Sequence, residues 1–225
     1  MNPYAIMSPI QSMNTSKKTV YTEGRRQNLK SGKTRWDTLE AKLQKALTEN
    51  RYRHTLGVTY TACALAMVYG EDLDAARTAG LLHDCAKCIP NSEKISICKK
   101  KQLDVTEFEL EHPVLLHAKL GAFVAENAYG ITDTGILDAI RWHTTGKPGM
   151  TLLEKIVFIS DYIEPNRTKQ PHLAEIRKTA FTDIDLCLYM ILKDTVEYLS
   201  ENPKSMDTMT STAYEYYKHA IESRG

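Results

Sequence analysis

The sequence predicts an all-α fold, and three observations support that prediction. From Trp36 onward, apolar residues recur at the three- and four-residue spacing of one helix face, first at Leu39, Leu43, Ala46 and Leu47. Glycines and prolines fall between such segments, and no segment alternates polar and apolar residues as a half-buried strand does. With 225 residues, of which 42% are hydrophobic, the chain is long enough to bury the core of one globular helical domain.

Nine helices are predicted in order along the chain. The first begins near Trp36 with Asp37 placed to cap it, and the second runs from about residue 52 to a stop at Gly70. The third ends before Pro90, and Pro113 lies where the first turn of the next helix is expected. The remaining six are predicted at about 113–128, 132–143, 151–163, 172–180, 183–199 and 208–221.

The basic residues are concentrated at the N-terminal end. Residues 1–35 hold seven Lys or Arg against one acidic residue, Glu23, so that segment carries +6 although the whole chain carries only +1. Three domain segments are therefore predicted: a basic, disordered tail at 1–35, a main domain at 36–200, and a C-terminal helix at 201–225 that packs on it. A solvated tail, or a segment upstream of a true start near Met13, is favoured over an arm that binds nucleic acid.

The cysteines and the apolar runs bear on the compartment. No apolar run approaches the roughly 18 residues of a membrane span, and the first 35 residues lack the apolar stretch of a secretory signal, so a cytoplasmic protein without membrane contact is expected. Five cysteines, an odd number, favour free thiols. Cys85 and Cys88 have the C-x-x-C spacing of zinc and dithiol sites, but neither context surrounds them, and ordinary packing positions are predicted.

Histidines and carboxylates at helix ends or inside apolar runs are the strongest functional signal. Such groups are costly to bury unless they are paired or bind a metal. Asp84 and Asp161 both lie in such runs, and no equally embedded Arg or Lys is evident to neutralise them. Imidazole and carboxylate ligands suit Fe, Mn, Zn or Co, and six of them are more than one ion needs. Two divalent metals bridged by Asp84 are therefore predicted, and the six candidate ligands are His54, His83, Asp84, His117, His143 and Asp161.

The sequence motifs around these residues resemble those of a known family, and the resemblance extends over about Leu39 to Tyr217. The segments RYRHTLGV, AGLLHDCAK, LLHAKLGA, DAIRWHTTGKPGM and LLEKIVFISDYIEPNR resemble, in this order, the YqeK-type HD hydrolases, the symmetrical bis(5'-nucleosyl)-tetraphosphatases. The resemblance implies an HD-domain helical bundle around a central dinuclear metal site. It also implies a di-iron centre, a homodimer, and cleavage of diadenosine tetraphosphate to two ADP by attack of a hydroxide held on the metals.

By the same resemblance, one metal would be held by His54, His83, Asp84 and Asp161, and the other by Asp84, His117 and His143. His83, Asp84 and Lys87 would carry the catalysis.

A polyanionic substrate also needs cations and donors, and five residues in these motifs are candidates for contacting the phosphates. Lys87 lies one helical turn after His83, and Arg167 follows the last motif. Thr144, Thr145 and the Gly146 backbone would donate hydrogen bonds. For each of these residues a surface ion pair or a turn position is the alternative, and for Lys87 the functional role is favoured.

Other histidines and other functions compete with this interpretation. His112 precedes His117 by five residues and competes with it as a ligand, but the family-like context attaches to His117. His172 and His219 are expected at the surface, and Asp133 is expected to cap a helix. An HD-domain phosphohydrolase acting on another nucleotide and a non-catalytic nucleotide or metal sensor remain the alternative functions. No motif reveals which nucleobase would be read.

Overall fold

The computed structural model describes residues 34–201 and 206–224, and these residues form eleven helices without a strand. The all-α prediction is therefore confirmed for the described part of the chain. In chain order the helices are α1 (Arg35–Ala46), α2 (Glu49–Tyr69), α3 (Leu73–Leu82), α4 (Asn91–Lys100), α5 (Glu107–Glu111), α6 (Leu116–Tyr129), α7 (Thr134–Trp142), α8 (Leu152–Ile163), α9 (Leu173–Thr179), α10 (Ile184–Ser200) and α11 (Thr208–Glu222).

Helix ends follow local capping chemistry. Gly70 and Gly130 end α2 and α6 in the left-handed conformation, and Asp133 caps α7 by accepting from the Ile136 amide, as predicted. The cap of α1 differs from the prediction. Thr34 is the N-cap, and its hydroxyl accepts from the Asp37 amide. The Asp37 carboxylate, at the third helical position, accepts from the Thr34 amide and completes a capping box.

Two helices were not predicted. α4 follows Pro90 without a side-chain cap, and only Lys94 and Cys98 of it are buried, so it shows no apolar stripe. α5 has five residues, fewer than two turns, and is held by a capping box that starts at Thr106. α6 begins at Leu116 rather than at Pro113, which lies in the preceding turn.

The core is built around α2, which packs against α3 and α8, while α7 packs on α3, α6 and α8. Gly80 allows α2 and α3 to approach closely, because a Cβ there would lie 3.1 Å from the Thr59 Cα atom. Large aliphatic side chains fill the interior, and burial of each contributes roughly 1.5–3 kcal/mol. The fully buried ones include Leu65, Leu81, Leu120, Ile140, Ile156 and Ile159.

The C-terminal helix α11 packs on α10 and is tied to the rest of the molecule by polar contacts. The buried Tyr217 hydroxyl accepts a 2.8 Å hydrogen bond from the Met150 amide, and Arg224 pairs with Asp183 at 2.9 Å. The division at residues 200 and 201 stays a prediction. The tail predicted at 1–35 lies almost entirely outside the described residues, and among those that are described, no helix has the length and apolar character needed to cross a membrane.

Candidate metal centre

Ends of five helices meet at one point and bring all six candidate ligands together. Asp84 is the centre of the group, since the Nε2 atoms of all four histidines lie within 4 Å of its carboxylate. His54 lies near the start of α2 and His117 near the start of α6, whereas His83 and His143 directly follow α3 and α7 as their C-cap residues.

The two oxygens of Asp84 divide these histidines into two groups. Its Oδ2 atom lies 3.9 Å from His54 Nε2 and 3.4 Å from His83 Nε2. Its Oδ1 atom lies 3.3 Å from His117 Nε2 and 3.7 Å from His143 Nε2. This is the arrangement expected of a carboxylate that bridges two metal positions.

Asp161 belongs to the Oδ2 side of the cluster. Its Oδ1 atom lies 3.0 Å from His54 Nε2 and 4.0 Å from His83 Nε2. One potential ligand atom from each of these three side chains lies within 4.8 Å of the other two, and the same is true of His83, Asp84 and His143. Both sets have the donor types that bind first-row metals.

Each histidine is oriented by a bond at its other ring nitrogen. The Nδ1 atoms of His83 and His143 each lie 2.7 Å from a backbone carbonyl, of Gly80 and Ile140, and His117 Nδ1 pairs with the Val114 carbonyl. Because carbonyls only accept, these rings carry their proton on Nδ1 and direct the Nε2 lone pair at Asp84. That tautomer is the one a metal ligand requires.

Several inward-facing atoms are buried without a hydrogen-bond partner. They are the Nε2 atoms of His54 and His83 and the Oδ1 atom of Asp84. Buried polar atoms of this kind normally find a partner, and an unsatisfied one costs about 1–3 kcal/mol. A metal cation would satisfy all three atoms, so the residues fit a dinuclear site.

Cations neutralise both aspartates, contrary to the expectation that none is available. Arg51 contacts Asp84 Oδ2 at 2.8 Å, and Arg167 contacts Asp161 Oδ1 at 2.7 Å while its Nε atom donates to the Asp161 carbonyl. Arg51 was overlooked because the Asp84 carboxylate is 33 residues away in the chain. Lys87 completes the group, with its Nζ atom 3.8 Å from Asp84 Oδ1.

The charges of the cluster are strongly coupled. Burial would raise the pKa of Asp84, but the adjacent His83 and the facing His143 ring hold it well below its usual value. The pKa of Asp161 is likewise lowered: its burial is outweighed by the facing His54 ring and by the nearby charges of His83 and Arg167. Both carboxylates are thus kept in the anionic form that binds metal.

Glu164 is a second residue that the sequence did not single out. It is 1% exposed, and its Oε1 atom lies 3.0 Å from His54 Nδ1, so His54 is oriented by a carboxylate. Its Oε2 atom accepts from the backbone and side-chain nitrogens of Asn166, at 2.7 and 2.8 Å. Arg177 fastens the same turn by donating to the carbonyls of Ile163, Glu164 and Arg167.

The three predicted donors after His143 have different positions. The Thr144 hydroxyl lies 3.1 Å from the Nε2 atoms of both His117 and His143, at the edge of the cluster. The Thr145 hydroxyl instead donates to the Gly146 carbonyl, and the Gly146 amide donates to the Trp142 carbonyl. The Gly146 amide is therefore engaged at the end of α7 and is not available to a phosphate oxygen.

The other histidines lie away from the cluster. His112 stacks on Phe108 and bonds to its carbonyl, so it does not compete with His117. His172 and His219 have largely exposed side chains, and each pairs with a neighbouring carboxylate. None of them reaches Asp84 within ion-pair distance.

All five cysteines are free thiols. Cys85 is buried, with its Sγ atom 3.4 Å from the Gly121 carbonyl, and burial raises the pKa of its thiol. Cys88 is half-buried and packs against the core. These positions agree with a packing role for both residues of the C-x-x-C segment.

Comparison with known proteins identifies the family. The model of the HD domain matches residues 51–166, a range that contains all six candidate ligands. A symmetrical bis(5'-nucleosyl)-tetraphosphatase from Bacillus subtilis is 40% identical over 174 residues, covering 77% of this chain and 92% of that protein. A protein of the same name from Staphylococcus aureus is 37% identical over 180 residues, covering 78% and 91%.

A solved structure has the same fold. It is a crystal structure from Clostridium acetobutylicum, described as a predicted HD superfamily hydrolase involved in NAD metabolism. It is 38% identical, with a TM-score of 0.79, and the match covers 82% of this chain and 97% of that one. With its histidine and aspartate cluster, its matched domain and these relatives, the chain belongs to the symmetrical bis(5'-nucleosyl)-tetraphosphatases of the HD-domain family.

Proposed function

We propose that the chain hydrolyses diadenosine tetraphosphate at its middle anhydride and releases two ADP. The observation that carries the proposal is the division of four histidines between the two oxygens of Asp84. The substrate is taken from the relatives in B. subtilis and S. aureus, whose names state symmetrical cleavage of bis(5'-nucleosyl) tetraphosphates.

The six ligands would hold two divalent metals in two halves that share Asp84. The Asp161 half consists of His54, His83 and Asp161, and the His117 half consists of His117 and His143. When bound, two such ions activate water and neutralise charge on the phosphoryl oxygens. Iron is our proposal for both positions, with Mn, Co and Zn compatible with the same donors.

Three cations would hold the polyphosphate beside the cluster. Arg51, Lys87 and Arg167 all contact its carboxylates and remain roughly one-third exposed, with side-chain exposures of 30%, 27% and 32%. Burial lowers the pKa of Lys87, Asp84 raises it, and Arg51 and Arg167 lower it further, which means that the three cations share one neighbourhood. Arginine binds phosphate oxygens in pairs, and lysine binds them as a point charge.

Thr144 and Thr145 would orient the polyphosphate, and the position of Cys85 argues against a covalent thiol intermediate. The Thr144 hydroxyl, at the edge of the cluster, would donate to a phosphate oxygen, and the neighbouring Thr145 would donate to another once its hydroxyl leaves the Gly146 carbonyl. Cys85 is not available as a nucleophile, because it is buried and its thiol pKa is raised. Direct attack by water, with His83, Asp84 and Lys87 at the centre, is the reaction that this arrangement favours.

Anaerobic incubation of the full chain with ferrous iron and diadenosine tetraphosphate, followed by chromatography of the nucleotides, tests the proposal. ADP as the sole product supports symmetrical cleavage. ATP with AMP would indicate asymmetric attack, and absence of turnover by a metal-loaded sample would indicate a nucleotide or metal sensor. Parallel reactions with other nucleotides test the alternative of a different HD-domain substrate.

Two further properties belong to this proposal. A homodimer is proposed from the family resemblance, and light scattering on the purified chain tests it. A cytoplasmic location is proposed because all five cysteines are free thiols, a state that reducing compartments maintain. Fractionation of the source cells tests the location.

A further inference from the structure

We infer that the two halves of the cluster bind metal unequally: the Asp161 half fills first and the His117 half fills second, with Glu164 and Lys87 setting the order. This inference rests on the metal positions proposed above, and it adds a sequence of binding and a cause for it. Three differences between the halves support it.

The first difference is the state of the ligand nitrogens. In the Asp161 half, the Nε2 atoms of His54 and His83 are buried without a hydrogen-bond partner. His54 Nδ1 faces Glu164, so its Nε2 lone pair opposes the Asp161 carboxylate at 3.0 Å, and a cation between the two acceptors would relieve their repulsion. Binding in this half therefore breaks no hydrogen bond at either imidazole.

The ligand nitrogens of the His117 half are already engaged. Lys87 Nζ lies 3.0 Å from His117 Nε2, and the Thr144 hydroxyl lies 3.1 Å from the Nε2 atoms of both His117 and His143. A neutral imidazole has a single acceptor lone pair, so the ammonium and a metal cannot use His117 Nε2 together. Binding in this half requires Lys87 to move away.

The second difference lies behind the ligands. His54 is oriented by the buried carboxylate of Glu164, whereas His117 and His143 are oriented by neutral backbone carbonyls. A carboxylate behind a histidine makes its metal-binding nitrogen a stronger donor, and loss of such a partner commonly costs 10- to 100-fold in metal affinity. The Asp161 half therefore has the stronger imidazole donor.

The third difference is charge. The Asp161 half has Asp161 as well as its share of Asp84, and the His117 half has only its share of Asp84. Arg51 and Arg167 also place positive charge near the Asp161 half. Each of them contacts a carboxylate oxygen, and because such an oxygen has two lone pairs, one lone pair stays available to a metal. Lys87 instead occupies the only lone pair of its partner.

Filling of the second position would also free Lys87 for the substrate. The ammonium displaced from His117 stays on a residue that is 27% exposed and lies beside Asp84, where it can meet a phosphate oxygen. The same residue would thus oppose the second metal in the free protein and bind the polyphosphate in the loaded one.

Titration of the metal-free, full-length chain with Mn²⁺ tests the order. Calorimetry and the loss of the free-ion electron paramagnetic resonance signal should resolve two steps of one ion per chain, with dissociation constants at least tenfold apart. A crystal grown with one equivalent of Mn²⁺ should give anomalous density between His54, His83 and Asp161. Two steps of equal affinity, or first density at His117 and His143, would overturn the inference.

Two substitutions test the cause. Glu164→Gln should weaken the first step by 10- to 100-fold and leave the second unchanged. Lys87→Met, which keeps an unbranched side chain but removes the ammonium group, should strengthen the second step by about tenfold and bring the two dissociation constants closer together. Equal weakening of both steps by Glu164→Gln, or a weaker second step in Lys87→Met, contradicts the roles assigned here.

Matched controls are available in the same chain. Glu154→Gln changes a buried glutamate in the first turn of α8, and Lys155→Met changes a lysine that pairs with Asp185 at 2.6 Å; neither residue contacts the cluster. Both steps should be unchanged in these variants. Absence of any Mn²⁺ binding would refute the metal sites themselves, whereas two equal steps with normal turnover would refute only the order.

Discussion

The guanidinium of Arg51 lies 2.8 Å from Asp84 Oδ2. Arg51 precedes His54 by three residues on the same helix. The first motif thus brings two groups to the carboxylate, a ligand and a cation. Asp84 is 2% exposed, whereas the Arg51 side chain is 30% exposed. The pair therefore connects the buried centre to the face from which a polyphosphate would approach.

Replacement of Arg51 by Met should impair substrate binding more than metal binding. A hydrogen bond to a charged group contributes about 1.5–3 kcal/mol, which corresponds to roughly 10- to 100-fold in kcat/KM. Most of the loss should appear as a higher KM, with two metals still bound per chain. Arg53→Met is the matched control, since Arg53 is exposed on the same helix and its guanidinium donates to the Asn50 side chain. An unchanged KM in Arg51→Met would remove Arg51 from the phosphate contacts.

Replacement of Asp84 by Ala should abolish metal binding and turnover together. Both halves of the cluster share this carboxylate, so no other residue can replace it as the bridge. Metal content measured by mass spectrometry should fall to the level of a chelated sample while the far-UV circular dichroism is retained.

The control for this experiment is the double variant Cys85→Ser, Cys88→Ser. It should keep its metal and its activity, because Cys85 contacts the Gly121 carbonyl and not the cluster. If the double variant folded but lost its metal, the ligand assignment would be wrong.

Asp183 should make a pH-dependent contribution to stability. It caps α10 through the Leu186 amide and pairs with Arg224; its slight burial would raise its pKa, but these two partners lower it. Because the folded pKa lies below the unfolded value of about 3.9, the contribution is present above about pH 4 and is lost as the pH falls through the folded pKa.

Asp183→Asn keeps a good helix cap and removes the charge. The Tm difference between wild type and Asp183→Asn should therefore be largest near neutral pH and shrink as the pH falls from about 5 to about 3. A Tm difference that is the same at every pH would show that the charge of Asp183 does not contribute.

The helices and the ligands differ in how far the sequence could predict them. The long amphipathic helices could be predicted because their apolar spacing is a local pattern. The ligands at their ends could be predicted from short motifs, such as HDCAK around Asp84. α4 lacks an apolar stripe, so nothing local marks it. The partners of the ligands were missed for a different reason. Glu164 is 110 residues from His54, and only the packing of α2 against α8 brings them together.

Gly57 should be required for metal affinity although it contacts no metal ligand. It lies inside α2, and a Cβ there would overlap Glu164 Oε2 and lie 3.2 Å from Asn166 Nδ2. The obstructed atom is the end of a flexible side chain, so Gly57→Ala should fold with the carboxylate displaced from His54. Alanine also favours the helix by about 0.5–1 kcal/mol, so loss of metal binding would not reflect a weaker helix.

Gly57→Ala should weaken the first Mn²⁺ step to the level of Glu164→Gln. In a Glu164→Ala background the space beside Gly57 is open, and the same substitution should have no further effect on that step. The double variant therefore separates displacement of Glu164 from a general disturbance of α2. If the effects of Gly57→Ala and Glu164→Ala on the first step added, the glycine would act by a route other than the Glu164 carboxylate.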